Sequence, residues 1–191
     1  MAQFTQSIDK KKAPRKRTIN PKYLENATLY YLQRFETTEG NLRSVLERKV
    51  IRHQGMAGLT DEVKGWISDV IAKMVRLGYV DDDRYGKMQA RSMRLSGKSE
   101  RMIINKLVEK GLRRDQASDL LRIVDEDIQE NSIEDVDPEF DAAMKIAKKK
   151  RVGPFGTPPD DPKQKQKDMA KLARAGFSFD IIQRVFEAQA E

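Results

Sequence analysis

Leu77-Gly78-Tyr79-Val80-Asp81-Asp82-Asp83-Arg84-Tyr85 closes one helix and opens the next with almost no linker. Upstream, Trp66, Val70 and Met74 recur every fourth residue, with Ile67, Ile71 and Val75 beside them. That is a wide apolar stripe at helical period. Gly78 follows it directly and suits the left-handed conformation that ends a helix. Tyr79 and Val80 are expected to turn back as apolar anchors. One of the three aspartates can cap the next helix, and the others lie against the positive end of its dipole. Asp81, Asp83 and Gly86 also fall at positions 1, 3 and 6 of a calcium-loop pattern. Position 5 is Tyr85, however, and position 12 is Ser92, where the loop needs a bidentate Glu. Capping requires only what is present, so the run reads as a joint between helices.

The same grammar extends in both directions. Asn20-Pro21 supplies a cap followed by proline at the first helical position, and the device returns at Asp137-Pro138 and Asp161-Pro162. The first helix carries Leu24, Ala27, Tyr31 and Phe35. A turn at 37–41 leads to a helix with Leu42, Val45, Leu46 and Val50, and 52–60 reads as a loop. Thr60 or Asp61 opens the Trp66 helix. Beyond the aspartates a basic helix runs to about Ser96. Ser99 caps the next, with Ile103, Ile104, Leu107 and Val108 as its stripe, ending at Gly111-Leu112. A helix with Ala117, Leu120, Leu121, Val124 and Ile128 runs into an acidic joint. Phe140, Ala143, Met144 and Ala147 mark another, ending in Lys148-Lys149-Lys150-Arg151. A proline-rich loop over 152–162 precedes helices at roughly 163–175 and 179–189, joined at Gly176-Phe177.

Nine helices and no strand emerge, with an internal period. Leu46-x-x-Lys49-Val50, Leu107-x-x-Lys110-Gly111-Leu112 and Leu172-x-x-Ala175-Gly176-Phe177 are read as one feature seen three times, 61 and 65 residues apart, each closing the second helix of a trio. One trio buries little apolar surface, so neighbours must support each other end to end. The expected architecture is all-α, an elongated array of three tandem three-helix repeats over 20–80, 81–136 and 137–191. A disordered basic arm, 1–19, precedes them.

The chain is 38% hydrophobic and 35% charged, and it has no cysteine, which excludes disulfides and thiolate chemistry. No run approaches the roughly 20 apolar residues of a membrane span, and no apolar leader opens the chain. A cytoplasmic protein that works as a monomer is expected. The net charge of +7 is unevenly spread. Residues 1–22 carry seven basic groups against one acid, 84–122 eleven against four, and 145–174 ten against three, whereas 123–141 carry nine acids and no base. Two basic surfaces flanking an acidic joint suit an anionic partner, nucleic acid or acidic protein. The candidate contacts are Arg84, Lys87, Arg91, Arg94, Lys98 and Arg101 in the middle repeat, and Lys148, Lys149, Lys150 and Arg151 in the third. Arg84, Lys87, Arg91 and Arg94 are spaced 3, 4 and 3, one face of a helix.

Enzyme chemistry finds no constellation here. Gly97-Lys98-Ser99 lacks the earlier glycine of a P-loop, that position being Ser92, and follows a helix rather than a strand. It reads as a glycine stop and a serine start. The single histidine, His53, has no cysteine or second histidine to join it, and is expected as a solvated loop residue. No catalytic residue, metal site or cofactor is expected.

The Gly78-Tyr79-Val80-Asp81-Asp82-Asp83-Arg84-Tyr85 joint, the Gly97…Ile103…Leu107…Lys110-Gly111-Leu112 unit and Ala173-Arg174-Ala175-Gly176-Phe177-Ser178 together resemble the RecX family, regulators of the bacterial recombinase RecA. The likeness covers residues 20–190. The 52–60 loop and the N-terminal basic arm depart from the compact family pattern. The resemblance implies an inhibitor that binds the RecA filament on single-stranded DNA, or the RecA monomer, lowering ATP hydrolysis and strand exchange in DNA repair and recombination. The residues alone also allow a stand-alone helical DNA-binding protein, with weak nonspecific contact through the arm.

Overall fold

The computed structural model describes residues 18–132, 137–156 and 162–188. The basic arm up to residue 17, the acidic run 133–136 and the expected cap Asp161 lie outside the described residues. Among the described residues there are nine α-helices, two short 3-10 turns and no strand. The helices are α1 (Pro21–Leu32), α2 (Glu39–Gln54), α3 (Asp61–Arg76), α4 (Asp82–Leu95), α5 (Glu100–Glu109), α6 (Arg114–Glu130), α7 (Pro138–Lys150), α8 (Pro162–Arg174) and α9 (Phe179–Glu187).

Seven starts carry a polar side-chain cap, at the expected positions for Asn20, Thr60, Asp81, Ser99 and Asp137, while α6 starts after Arg113 without one. Asn20, Thr38, Thr60, Asp81, Ser99, Asp137 and Ser178 each accept a backbone N–H from the first turn of the helix they precede. Ile19, just before the Asn20 cap, is buried in the same core as Leu24 four helical positions on, the arrangement of a hydrophobic staple.

Five of the helices end in one geometry. Tyr79 N–H donates to the Met74 carbonyl at 3.0 Å, Lys98 to Met93 at 3.0 Å, Leu112 to Leu107 at 3.2 Å, Val152 to Ala147 at 3.0 Å and Phe177 to Leu172 at 3.3 Å. Each is the six-to-one bond of a Schellman motif. The left-handed residue is glycine in four of them, and Arg151, at φ 52°, in the fifth. Leu112, Val152 and Phe177 are buried directly after it. The joint at Gly78 differs from expectation: Tyr79 is 57% exposed and Val80 alone turns inward.

Three separate cores result. The first joins α1–α3 around Leu24, Leu42, Ile67 and Met74. The second joins α4–α6 around Ile103, Leu107 and Leu121, and the third α7–α9 around Ala143, Leu172 and Val185. In the second, α4 lies so close to α6 that a Cβ on Gly86 would sit 2.5 Å from Leu120 Cδ1.

The first trio departs from the predicted repeat. Helix α2 continues past Leu46 and Val50, both buried within it, and ends at Gly55. Leu46 is therefore mid-helix, not the counterpart of Leu107 and Leu172. The 52–60 segment is the last turn of α2 plus a 3-10 turn, Met56–Gly58. His53 is accordingly helical, and its Nε2 lies 3.1 Å from the Tyr23 hydroxyl. Phe35 falls beyond α1 and is half exposed.

Candidate functional site

The trios meet through a repeated joint. Thr38, cap of α2, donates its hydroxyl hydrogen to the Lys110 carbonyl at the end of α5. Ser99, cap of α5, donates to the Ala175 carbonyl at the end of α8, 2.7 Å away. In both cases the accepting residue precedes the left-handed glycine, Gly111 or Gly176. The first N–H of the capped helix then finds a carboxylate in the next trio. Glu39 N–H donates to Asp82 Oδ1 at 2.8 Å, and Glu100 N–H donates to Glu139 Oε2 at 2.9 Å. Orphan donors at one helix start are thus satisfied by its neighbour. Burial pushes both the Asp82 and Glu139 carboxyls above their ordinary values, against the opposing pull of those N–H groups.

The three aspartates of the opening stretch therefore separate in role. Asp81 caps α4, Asp82 reaches across to α2, and Asp83 accepts from Gln116 Nε2 on α6 at 3.0 Å. Among the described residues no cluster of acids or histidine could hold a metal.

The acidic band is occupied as well. Arg94 donates to both Asp125 oxygens at 2.8 and 2.6 Å, to Glu139, and to the Lys98 carbonyl at 3.1 Å. One guanidinium thus ties α4 to α6 and to the start of α7. It is 2% exposed. Burial works against its charge, but the bonds to Asp125 and the field of Glu139 hold its pKa above the ordinary value. Asp137 is held by Arg184 of α9 at 2.6 Å, while Arg184 stacks 4.7 Å from the Phe140 ring centre. Burial would raise the Asp137 carboxyl, yet the Arg184 bond and two backbone N–H groups bring it below its usual value.

This places the predicted contacts unequally. Arg84 and Lys87 stand exposed on α4, with no carboxylate partner among the described residues. Arg91 is half exposed and paired with Asp127 of α6. Arg94 leaves the surface altogether. The 3-4-3 face is therefore split: its first half is free, and its second half is turned into the acidic band of α6 and α7. Lys98 lines a cleft between the second and third trios, together with Lys149, Lys150, Lys171 and Arg174. Arg101 is exposed at a second cleft beside Glu100 and Glu139. Lys148 lies 5.9 Å from the Phe155 ring centre, and Arg151 is the exposed left-handed residue ending α7.

Sequence reasoning missed the joint residues Thr38, Ser99, Asp82 and Glu139 as partners across trios. The readable signal was a Ser/Thr cap before the second helix of the first and second trios, matched by glycine at the end of the second helix of the following trio. It also missed Arg94 as a structural residue, although Gly86, Ala90 and Arg94 fall four apart on the buried stripe of α4. No helix among the described residues is long and apolar enough to cross a membrane.

Residues 137–186 match the family description "RecX, third three-helix domain". Over 188 residues the chain is 39% identical to the regulatory protein RecX of Myxococcus xanthus, covering 94% of each protein. Over 169 residues it is 30% identical to the regulatory protein RecX of Agrobacterium fabrum, covering 88% of this chain and 84% of that one. Its backbone superposes on the crystal structure of RecX from Lactobacillus salivarius with TM-score 0.62 at 23% identity, covering 87% and 94% of the two chains. A further crystal structure of regulatory protein RecX gives TM-score 0.64 at 19% identity, over 88% and 72%. The last two speak to the fold alone.

Proposed function

The chain belongs to the RecX family of regulatory proteins, and from that premise we propose that it restrains the RecA recombinase in the cytoplasm. In this reading it binds the RecA filament on single-stranded DNA and lowers ATP hydrolysis and strand exchange. It is a regulator, not an enzyme. The observation that carries the proposal is the 39% identity to a curated regulatory protein over 94% of the chain.

The geometry supports it in two ways. An array of trios joined end to end offers an extended surface that can follow a groove. Exposed cations on that surface suit an anionic lining of acidic protein and phosphate. The contacts we assign are Arg84, Lys87, Lys98, Arg101, Lys148, Lys149, Lys150 and Arg151, with Arg91 shared with Asp127. The trio boundaries at residues 80 and 136 belong to the same proposal.

The test is ATP hydrolysis by the cognate RecA on single-stranded DNA, titrated with this protein. Inhibition well below one chain per recombinase subunit supports action on filaments or their ends. Inhibition only near equal amounts points to stoichiometric groove coverage or capture of free subunits. No inhibition, with DNA coating excluded, removes the regulator reading in favour of a stand-alone DNA-binding protein.

A further inference from the structure

The last helical turns of α7 and α8 and the turn before α5 surround a cleft of about 700 Å³. Five cations line it: Lys98 from the turn, Lys149 and Lys150 from α7, and Lys171 and Arg174 from α8. No carboxylate of the described residues lines it. Lys171 is paired with Asp168 at 2.6 Å. The other four have no carboxylate partner among the described residues.

Helix dipoles explain part of this. Lysine and arginine are favoured in the last turn of a helix, where the carbonyl end is negative. That accounts for the groups on α7 and α8. Lys98 follows the C-terminal end of α4, where its own N–H bonds the Met93 carbonyl, so the same effect reaches it. That effect does not account for helix ends of the second and third trios being brought to one cleft in which Lys171 alone has a carboxylate partner among the described residues. Like charges gathered at one concave site raise the local potential and attract an anion.

The arrangement also speaks to the shape of that anion. A nucleic-acid strand is usually tracked by cations set in a row along its backbone. Here the cations converge from three chain segments on one cleft, which suits a compact multiply charged group. Met102, which is 41% exposed, and Ile146 add a small apolar wall on which a planar group can rest. We propose that this cleft binds a compact oligophosphate, the class to which the triphosphate of a nucleotide belongs. Because the cations come from the second and third trios, a bound oligophosphate would bridge them beside the Ser99–Ala175 bond.

The probes are inorganic tripolyphosphate, ATP and a short oligothymidylate, each titrated into the full chain without recombinase and followed by calorimetry and backbone amide NMR. Tripolyphosphate and ATP should both move the amides of Gly97, Lys98, Ala175 and Gly176. The K98E/K149E double variant should weaken both by about tenfold or more. A variant with Lys10, Lys11 and Lys12 changed to Gln should leave cleft binding unchanged. The proposal falls if tripolyphosphate leaves those amides unmoved. It falls equally if the arm variant abolishes binding, or if only oligothymidylate occupies the cleft. The wild-type NMR titration decides the matter even where a variant folds poorly.

Discussion

Ser99 joins two helices that are 76 residues apart in sequence: its Oγ accepts the Met102 N–H at 3.4 Å and donates to the Ala175 carbonyl at 2.7 Å. A hydroxyl has one donor hydrogen and two acceptor lone pairs, so both bonds form at once. Ser178, by contrast, only caps its own helix, accepting from Ile181 N–H at 3.3 Å. Ser178→Ala should cost about 1 kcal/mol, the usual value of a cap. Ser99→Ala also removes the hydrogen bond to the half-buried Ala175 carbonyl and should cost about 2 kcal/mol. Ser99→Thr should recover most of it, since Thr38 makes the same pair of bonds in the preceding joint. Denaturant unfolding of the three variants checks the order, and equal losses for Ser99→Ala and Ser178→Ala would remove the joint from the account.

Gly176 and Gly78 isolate the steric part of the same joint. Both have positive φ, 96° and 71°. A Cβ on Gly78 meets nothing within 4 Å, whereas on Gly176 it would lie 2.4 Å from Ser99 Oγ. Gly78→Ala should therefore cost only the left-handed strain, about 1 kcal/mol. Gly176→Ala should cost about 3 kcal/mol through added overpacking. In the Ser99→Ala background the clash with Oγ disappears, so the double variant should lose less than the sum of the singles. A double-mutant cycle measures that difference, and strict additivity would contradict the contact.

Arg94 carries a pH signature. Removing a buried partner of two carboxylates typically costs about 3–5 kcal/mol, and Arg94→Met should fall in that range at neutral pH. The sign of its pH dependence follows from Glu139. Burial already raises the folded pKa of Glu139, even though Arg94 pulls it down. A raised folded pKa gives stability that is full below the unfolded value and lost as pH rises through the folded one. Without Arg94, Glu139 rises further, so the deficit of Arg94→Met should grow from pH 5 to pH 7. Adding Glu139→Gln should flatten that slope. Unfolding series across this pH range test it, and a deficit that shrinks with rising pH would reverse the assignment.

What the sequence made legible was local. The caps at Asn20, Thr60, Asp81, Ser99 and Asp137, the glycine stops and most of each apolar stripe depend on neighbours within about one helical turn, and they appear where expected, although Val75 and Phe35 face outward. The errors arise where distant chemistry decides. Tyr79 is exposed because Val80 fills the inward position after Gly78. Leu46-x-x-Lys49-Val50 copies the local pattern of a helix end, but no glycine follows Val50, so α2 simply continues. Spacing groups Arg94 with Arg84, Lys87 and Arg91 because it sorts residues by face without saying what a face meets. Asp125 and Glu139, 31 and 45 residues away, make that part of the face an interior.

The placement of Arg94 also decides how the partner surface should be mapped. Reversing Arg91 and Arg94 together would confound contact with folding, because Arg94 is internal and Arg91 holds Asp127. Arg84 and Lys87 avoid that ambiguity: both are exposed and neither has a carboxylate partner among the described residues. Arg84→Glu with Lys87→Glu should leave helicity and unfolding midpoint close to wild type, since exposed substitutions usually stay within about 0.5 kcal/mol. Inhibition of RecA-driven ATP hydrolysis should require roughly tenfold more of the variant, the effect of losing about 1.4 kcal/mol of favourable contact. Raising the salt concentration should weaken the wild type more than the variant, because fewer ion contacts remain to be screened. A variant that inhibits as wild type does would move the contact off the free half of α4 and onto the third trio, where Lys148, Lys149, Lys150 and Arg151 are the next residues to reverse.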